Sequence, residues 1–200
     1  MKNETLDRRV RKTRRLLREC LIKLLQKKKI QDITVKELAD MADVNRGTFY
    51  LHYRDVFDLM DQIELELMEE VEAVLSHHPV NELVARPSLV LGELFPMVKE
   101  NADLISILIG ENGDLNFVNQ LKRVVSDKCL KNWLDMKCPG DPDSLGAYSS
   151  FIVSGCIGTV QYWLENGMKE SSQQMASLTE EFIIKGLRVL ETPSDSNVHR

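Results

Sequence analysis

The groups most able to do chemistry lie in "TVKELADMADVNRGTFYLHY", residues 34–53, and their types suit a nucleic acid. Arg46 can donate two hydrogen bonds to guanine, and the amide of Asn45 can pair with adenine. The hydroxyl of Thr48 suits a phosphate and its methyl group suits thymine. This set of side chains predicts contact with the major groove of double-stranded DNA.

The same stretch supplies groups for the DNA backbone. Tyr50 and His52 can donate to phosphates, which fixes the register of a protein on DNA without reading its sequence. Gly47 removes a side chain at a point where the protein backbone would approach DNA closely.

Two short helices must position these groups. Thr34 is a suitable N-cap with Glu37 at the capping-box position, and Asn45 is a strong N-cap for the second helix. Phe49 is the expected core anchor of that second helix. A helix, a tight turn at residues 42–44 and a second short helix predict a helix-turn-helix. An ordinary helical hairpin with solvated polar positions remains the alternative from this pattern alone.

Charge is distributed unevenly along the chain. Residues 1–54 contain 15 lysines and arginines against 7 aspartates and glutamates, a balance of +8, whereas residues 55–200 have a balance of −13. Residues 6–28 have the apolar spacing of an amphipathic helix. Its first half carries Arg8, Arg9, Arg11, Lys12, Arg14, Arg15 and Arg18. Positive charge there opposes the helix dipole, which favours an anionic partner.

The rest of the chain predicts further helices and no strands, giving an all-α fold of about nine helices. Asp55 can cap a long helix at about 56–76. Further periodic segments cover about 88–100, 102–110, 115–136, 145–166 and 172–190. The segment "CPGDPDS" at 138–144 is the clearest break. We expect a DNA-binding domain at 1–54, a sensing and dimerisation domain at 55–190, and a disordered tail at 191–200.

The sequence "TVKELADMADVNRGTFYLHYRDVFDL" resembles the DNA-binding signature of the TetR family of bacterial transcription regulators. The pattern T-x-x-x-[IL]-A-x-x-A-G-V-x-x-G-T-[FLI]-Y-x-[HY]-[FY] is matched by Thr34, Leu38, Ala39, Ala42, Val44, Gly47, Thr48, Phe49, Tyr50, His52 and Tyr53. The segments "KENADLISILIGENGDLNF" and "FIVSGCIGTVQYWLENGMKES" are similar to one subgroup of TetR-like C-terminal domains. The resemblance implies a homodimer with a three-helix DNA-binding head and a ligand-sensing body.

The resemblance also implies roles for single residues and exposes two departures. It implies phosphate contacts from Thr34, Tyr50 and His52, and groove contacts from Lys36, Asn45, Arg46 and Thr48 beside Gly47. Asp43 stands where the family has glycine, and aspartate tolerates left-handed geometry better than most residues. Val56 stands where many members have a phosphate-binding lysine, and Arg54 is near enough to substitute.

The body yields two sets of candidates, both open from the sequence alone. The expected dimer interface comprises Tyr148, Phe151, Ile152, Gly155, Thr159, Trp163, Met175, Leu178, Phe182, Gly186 and Leu190. The expected apolar pocket comprises Phe95, Met97, Leu104, Leu108, Phe117, Trp133, Cys156 and Tyr162. Packing within the subunit is the alternative for each set.

Other function classes find little support. There is no nucleophile elbow, phosphate loop or zinc-ligand pair, so we expect no enzyme, no cofactor and no metal; His77 and His78 lack partner ligands. The N-terminus does not resemble a secretory signal and no apolar run is long enough for a bilayer, which predicts a cytoplasmic protein with reduced cysteines. The expected partners are operator DNA, a second copy of the chain, and an unknown small apolar ligand. The alternative is an activator or adaptor whose body binds a protein.

Overall fold

The computed structural model describes residues 2–79, 86–110, 113–135 and 142–191, with side chains at 8–79, 86–110, 113–128 and 146–185. The predictions for Trp133, Gly186 and Leu190 concern side-chain surroundings outside this part, and so does the predicted tail at 191–200 except for Glu191, which ends the last helix.

Nine α-helices and no strand occur within the described residues, which confirms the predicted all-α fold. They are α1 Lys2–Leu25, α2 Val35–Met41, α3 Arg46–Tyr50, α4 Val56–His77, α5 Pro87–Glu100, α6 Ala102–Ile109, α7 Leu115–Asp135, α8 Pro142–Glu165 and α9 Ser172–Glu191, with a 3-10 turn at Ile30–Asp32. Asp55 caps α4 as predicted, since its Oδ1 accepts from the backbone N–H of Asp58 at 2.8 Å. Helix α8 begins three residues earlier than predicted, because proline is favoured at the first position of a helix.

The chain divides into two compact units, Met1–Glu69 and Glu70–Arg200. The division falls within α4, whereas the sequence pattern suggested one after residue 54. The first turns of α4 belong to the first unit, where Leu59 and Ile63 are buried together with Leu17 and Leu21 of α1.

The core of the second unit contains Phe95 of α5 and Trp163 of α8. Both side chains are buried, and their rings pack edge to face with centroids 5.4 Å apart. The indole N–H of Trp163 donates to the carbonyl oxygen of Glu170 at 3.0 Å. This bond reaches across a turn at which Gly167 and Met168 both have positive φ, 74° and 51°. The turn therefore returns the chain toward the tryptophan that precedes it.

Hydrogen bonds also connect α9 with α5 and α8. The backbone N–H of Ser88, in the first turn of α5, donates to Glu180 Oε1 at 3.0 Å. The hydroxyl of Tyr148 donates to the carbonyl oxygen of Ile183 at 2.6 Å, and burial raises the pKa of Tyr148 to about 12. The phenol is thus a neutral hydrogen-bond donor at physiological pH.

The two adjacent histidines at the end of α4 share one carboxylate. His77 Nδ1 lies 3.0 Å from Glu93 Oε2, and His78 Nε2 lies 2.7 Å from Glu93 Oε1. Hydrogen bonds from His77, which has the larger effect, and from His78 hold the pKa of Glu93 below its ordinary value. Among the described residues, no group of three or more potential ligands has the arrangement of a metal site.

A depressed carboxyl pKa contributes stability above its unfolded-state value, and the contribution is lost as pH falls through the folded value. We therefore expect Glu93→Gln to lower the free energy of unfolding at pH 7 and to have a progressively smaller effect below the ordinary pKa of 4.5. Urea unfolding between pH 3 and 7 measures this. Glu100→Gln, an exposed change on the same helix, is the control. A deficit for Glu93→Gln that does not change with pH would contradict the prediction.

Candidate nucleic-acid interface

Thr34 is the N-cap of α2, and its Oγ1 accepts from the backbone N–H of Glu37 at 3.2 Å. The other half of the predicted capping box does not form, because the Glu37 carboxylate contacts Lys28 Nζ instead. That ion pair connects the segment after α1 to α2. The Thr34 hydroxyl keeps its proton, so it can still donate to a phosphate.

The turn after α2 is a Schellman motif, with Asp43 at the left-handed position. Its φ is 53°, as the sequence predicted for an aspartate in place of glycine. The N–H of Val44 donates to Ala39 O at 3.0 Å, and the N–H of Asp43 donates to Asp40 O at 3.3 Å. These two bonds satisfy carbonyls at the end of α2 and direct the chain into α3.

Helix α3 is capped by Asn45, whose side chain is also one of the predicted groove contacts. Asn45 Oδ1 accepts from the backbone N–H of Gly47 at 2.8 Å. Bidentate pairing with adenine uses the same oxygen as an acceptor, so Asn45 would share its two lone pairs between the cap and the base. A Cβ on Gly47 would lie 3.3 Å from Asn45 Oδ1, so glycine also serves the cap.

Phe49 anchors α3, as predicted. Its side chain is fully buried, and its ring packs against the rings of Tyr50 and Tyr53 at centroid distances of 5.5 and 5.6 Å. Around this anchor Lys36 and Arg46 are exposed, and Tyr50 is 58% exposed.

The remaining residues of the pattern have different surroundings. Thr48 and His52 are half-buried. Val56 is buried in the first unit, which explains why this position offers no cation to DNA. Arg54 is exposed, and it contacts Asp58 through Nη2 at 3.3 Å and through its backbone N–H at 2.7 Å.

Arg14 and Arg18 of α1 form hydrogen bonds with residues far along the chain in the first unit. Arg14 Nε donates to Tyr53 Oη at 3.2 Å, and its Nη2 donates to Gln62 Oε1 at 2.9 Å. Arg18 Nη1 donates to Glu66 Oε2 at 3.1 Å. The sequence attributed this basic run to an anionic partner as a whole. Instead, the Arg14 side chain connects α1 with Tyr53, the last residue of the 34–53 motif, and with Gln62 of α4.

Sequence reasoning did not find this role for Arg14. The guanidinium and Tyr53 are 39 positions apart, so no local spacing relates them. Its neighbours on α1 differ: Arg8, Arg9 and Lys12 are exposed and form no hydrogen bond or ion pair with any described residue.

The predicted pocket residues do not share one environment. Phe95, Leu104, Leu108 and Phe117 are buried, whereas Cys156 is half-buried. Met97 packs, partly buried, against a cluster around Val71, Leu75 and Val90. Tyr162 is 58% exposed, so in the subunit it lines no enclosed space.

The predicted dimer residues also separate into two groups. Trp163, Met175 and Tyr148 are buried in the core of their own unit. Neighbouring positions of a helix point in different directions, so residues close in sequence need not share one face. Three others have exposed side chains: Phe151, Leu178 and Phe182. Gly155 is exposed, and Ile152 and Thr159 are half-buried.

Comparison with known proteins decides the family. Residues 86–185, half of the chain, match the TetR-type family described as "Transcriptional regulator C-terminal region". The chain belongs to the TetR family of transcription regulators. The family comprises DNA-binding transcription regulators. None of the described helices has the length and apolar character to cross a membrane.

Relatives of this TetR-family chain agree with the fold. It is 26% identical over 172 residues to the uncharacterized HTH-type transcriptional regulator YxbF of Bacillus subtilis, covering 84% of this chain and 43% of that protein. A TetR regulator from Streptococcus agalactiae 2603V is 20% identical with a TM-score of 0.62, over 90% of this chain and 98% of that one. FadR from Bacillus subtilis, in complex with stearoyl-CoA, is 14% identical with a TM-score of 0.64, over 86% and 97%.

The contacts of Arg14 predict a particular effect on DNA binding. Because its guanidinium donates to Tyr53 and Gln62, we expect it to orient residues 34–53 and not to neutralise a phosphate. We expect Arg14→Met to weaken operator binding roughly two- to tenfold, the range of one or two net hydrogen bonds. The slope of log affinity against log salt should not change.

Arg9→Met provides the control, since Arg9 is an exposed cation of the same helix. Loss of one phosphate contact lowers the salt slope by about one. Fluorescence anisotropy from 50 to 300 mM salt separates the two effects. A slope reduced by about one in Arg14→Met would mean that the guanidinium leaves Tyr53 to bind DNA.

Proposed function

We propose that this regulator is a ligand-responsive repressor that binds a palindromic operator as a homodimer. The observation that carries the DNA-reading part is the exposure of Lys36 and Arg46 on two short helices whose caps and turn are formed by other residues. Thr48 is the third proposed groove contact. Thr34, Tyr50 and His52 are the proposed phosphate contacts, and Gly47 allows close approach. Asn45 acts as the cap, with its amide N–H groups left to donate.

Arg46 is the proposed reader of guanine. We expect Arg46→Ala to cost about 1–3 kcal/mol of binding free energy at one base pair and to relax the preference there. Tyr50→Phe should weaken all sequences alike, because a phosphate contact carries no sequence information. Selection of binding sites from genomic fragments, followed by titration of single-base variants, measures both effects.

Lys169→Ala, an exposed lysine of the second unit, is the control and should bind DNA as the wild type does. Failure of the wild-type protein to enrich any site would refute sequence-specific binding.

Exposed apolar side chains on α8 and α9 support the dimer. Phe151 and Tyr162 of α8 are 68% and 58% exposed, and Phe182 of α9 is 55% exposed. Between the first two lie Gly155 and Gly158, in the 4-3-4 spacing that keeps all four residues on one helical face. Two such faces related by a two-fold axis would form a four-helix interface. A two-fold dimer in turn accounts for a palindromic operator.

A substitution at Gly155 tests the proposed dimer interface. A Cβ added at Gly155 would have no described atom outside its own helical turn within 4 Å, so we expect the isolated fold to accept Gly155→Leu. Across the interface the added side chain would prevent close approach of α8 to its partner. We expect the variant to sediment as a monomer at micromolar concentration, whereas the wild type sediments as a dimer.

Gly92→Leu is the matched control, because Gly92 is also helical and also has open space around its added Cβ. It should remain dimeric with an unchanged circular dichroism spectrum. A wild-type chain that is monomeric at micromolar concentration rejects the dimer. That result would favour the alternative, an activator or adaptor whose exposed α8–α9 face binds another protein.

The sensing part of the proposal draws on α4, which supplies residues to both compact units. A ligand bound to the second unit can change operator affinity only as far as it binds two conformations of the protein with different free energies. That difference is usually about 1–3 kcal/mol. FadR of Bacillus subtilis, similar in fold, was crystallised with stearoyl-CoA, which supports a small-molecule ligand here. Operator DNA must weaken the ligand by the same factor.

A further inference from the structure

A cleft of about 250 Å³, with charged and hydroxyl side chains beside Val153 in its lining, lies in the second unit, and none of the preceding functions uses it. Helix α7 lines one side with Lys122, Arg123 and Ser126, and helix α8 lines the other with Ser150 and Ser154. The cleft is open to solvent, and its lining differs in chemistry from the apolar pocket predicted from the sequence.

Five of the six polar side chains that line this cleft have no hydrogen-bond or ion-pair partner among the described residues, and Asp127 is the exception. Lys122 and Arg123 form no ion pair or hydrogen bond with any described residue, although residues 55–200 carry 24 carboxylates against 11 cations. In such an acidic domain, two adjacent cations without a carboxylate partner are unexpected. Lys122 is also half-buried, which makes its unpaired charge more costly.

The three serines that line the cleft also lack hydrogen-bond partners among the described residues. Helical hydroxyls commonly donate to the carbonyl four residues earlier, and Ser76, Thr159 and Thr179 do so here at 2.6–2.9 Å. No such bond is formed by the serines that line the cleft, Ser126, Ser150 and Ser154. Within the described part of the chain these hydroxyl groups have no partner, and they can donate to a ligand from both helices.

We propose that this cleft binds the phosphate group of a small phosphorylated metabolite, which would be the effector of the regulator. A phosphate monoester carries a charge of about −1.5 to −2 at neutral pH and three acceptor oxygens. The guanidinium, the ammonium and three hydroxyls supply more donors than the two oxygens of a carboxylate can accept. Asp127 also lines the cleft and has its own electrostatic contact. It opposes an anion, so the cations must outweigh it.

Binding is measured on the full-length wild-type protein with inorganic phosphate as the probe, at constant ionic strength. Backbone amide shifts in ¹H–¹⁵N spectra report each part of the chain separately, which keeps phosphate bound near residues 34–53 apart from phosphate in the cleft. We expect saturable shifts at residues 122–127 and 150–154. The double variant Lys122→Met/Arg123→Met should weaken the cleft response by roughly tenfold or more.

Two further variants sharpen the assignment. The control Lys99→Met/Lys169→Met removes two exposed lysines of the same unit outside the cleft and should bind within about twofold of wild type. Asp127→Asn removes the opposing carboxylate and should tighten phosphate binding roughly two- to fivefold. A merely structural role for these residues would not produce a gain.

The effector role rests on the proposed repressor, whereas the binding site itself does not. Operator titrations without phosphate should give the same affinity for wild type and Lys122→Met/Arg123→Met, and a loss there would make the cleft a DNA contact instead. Absent or non-saturable shifts at the cleft, or equal binding of acetate, would overturn the phosphate site while leaving operator recognition intact. Loss of operator recognition with cleft binding preserved would refute the repressor alone.

Discussion

The burial of Phe49 is the contact on which the DNA-facing surface depends. Helix α3 has five residues, far fewer than the ~12–15 at which an isolated helix becomes even marginally stable in water. Its shape must therefore come from packing, and full burial of one phenylalanine contributes about 1.5–3 kcal/mol toward it. The Tyr53 ring packs against Phe49, and its hydroxyl accepts from Arg14. Arg14 in turn donates to Gln62 of α4. The exposed Arg46 is held in place by residues that do not themselves face DNA.

Local signals in the sequence were enough to predict much of this arrangement. The caps at Thr34, Asn45 and Asp55 and the left-handed turn at Asp43 depend on residues within four positions of one another, and all four are present. Helix boundaries followed the apolar period to within a few residues, because each helix buries one face.

The sequence did not allow a prediction of which segment of the chain packs against which face of each helix. Tyr162 and Trp163 are adjacent, and periodicity alone assigned the first to a pocket and the second to an interface. The structure reverses their exposure, because the Trp163 indole finds both Phe95 and the carbonyl of Glu170. The Arg14–Tyr53 contact and the Glu37–Lys28 pair likewise join segments whose meeting no local pattern encodes.

The capping and anchoring residues around α3 differ from those proposed to read bases, and this separation bears on how the family diversifies. The side chains of Lys36 and Arg46 are exposed and make no hydrogen bond or ion pair with any other described residue. Substitution there would change the preferred operator at little expense in folding free energy, since surface changes usually alter stability by less than about 0.5 kcal/mol. A duplicated gene could acquire a new set of target promoters through a few such replacements, while its scaffold drifts under separate constraints.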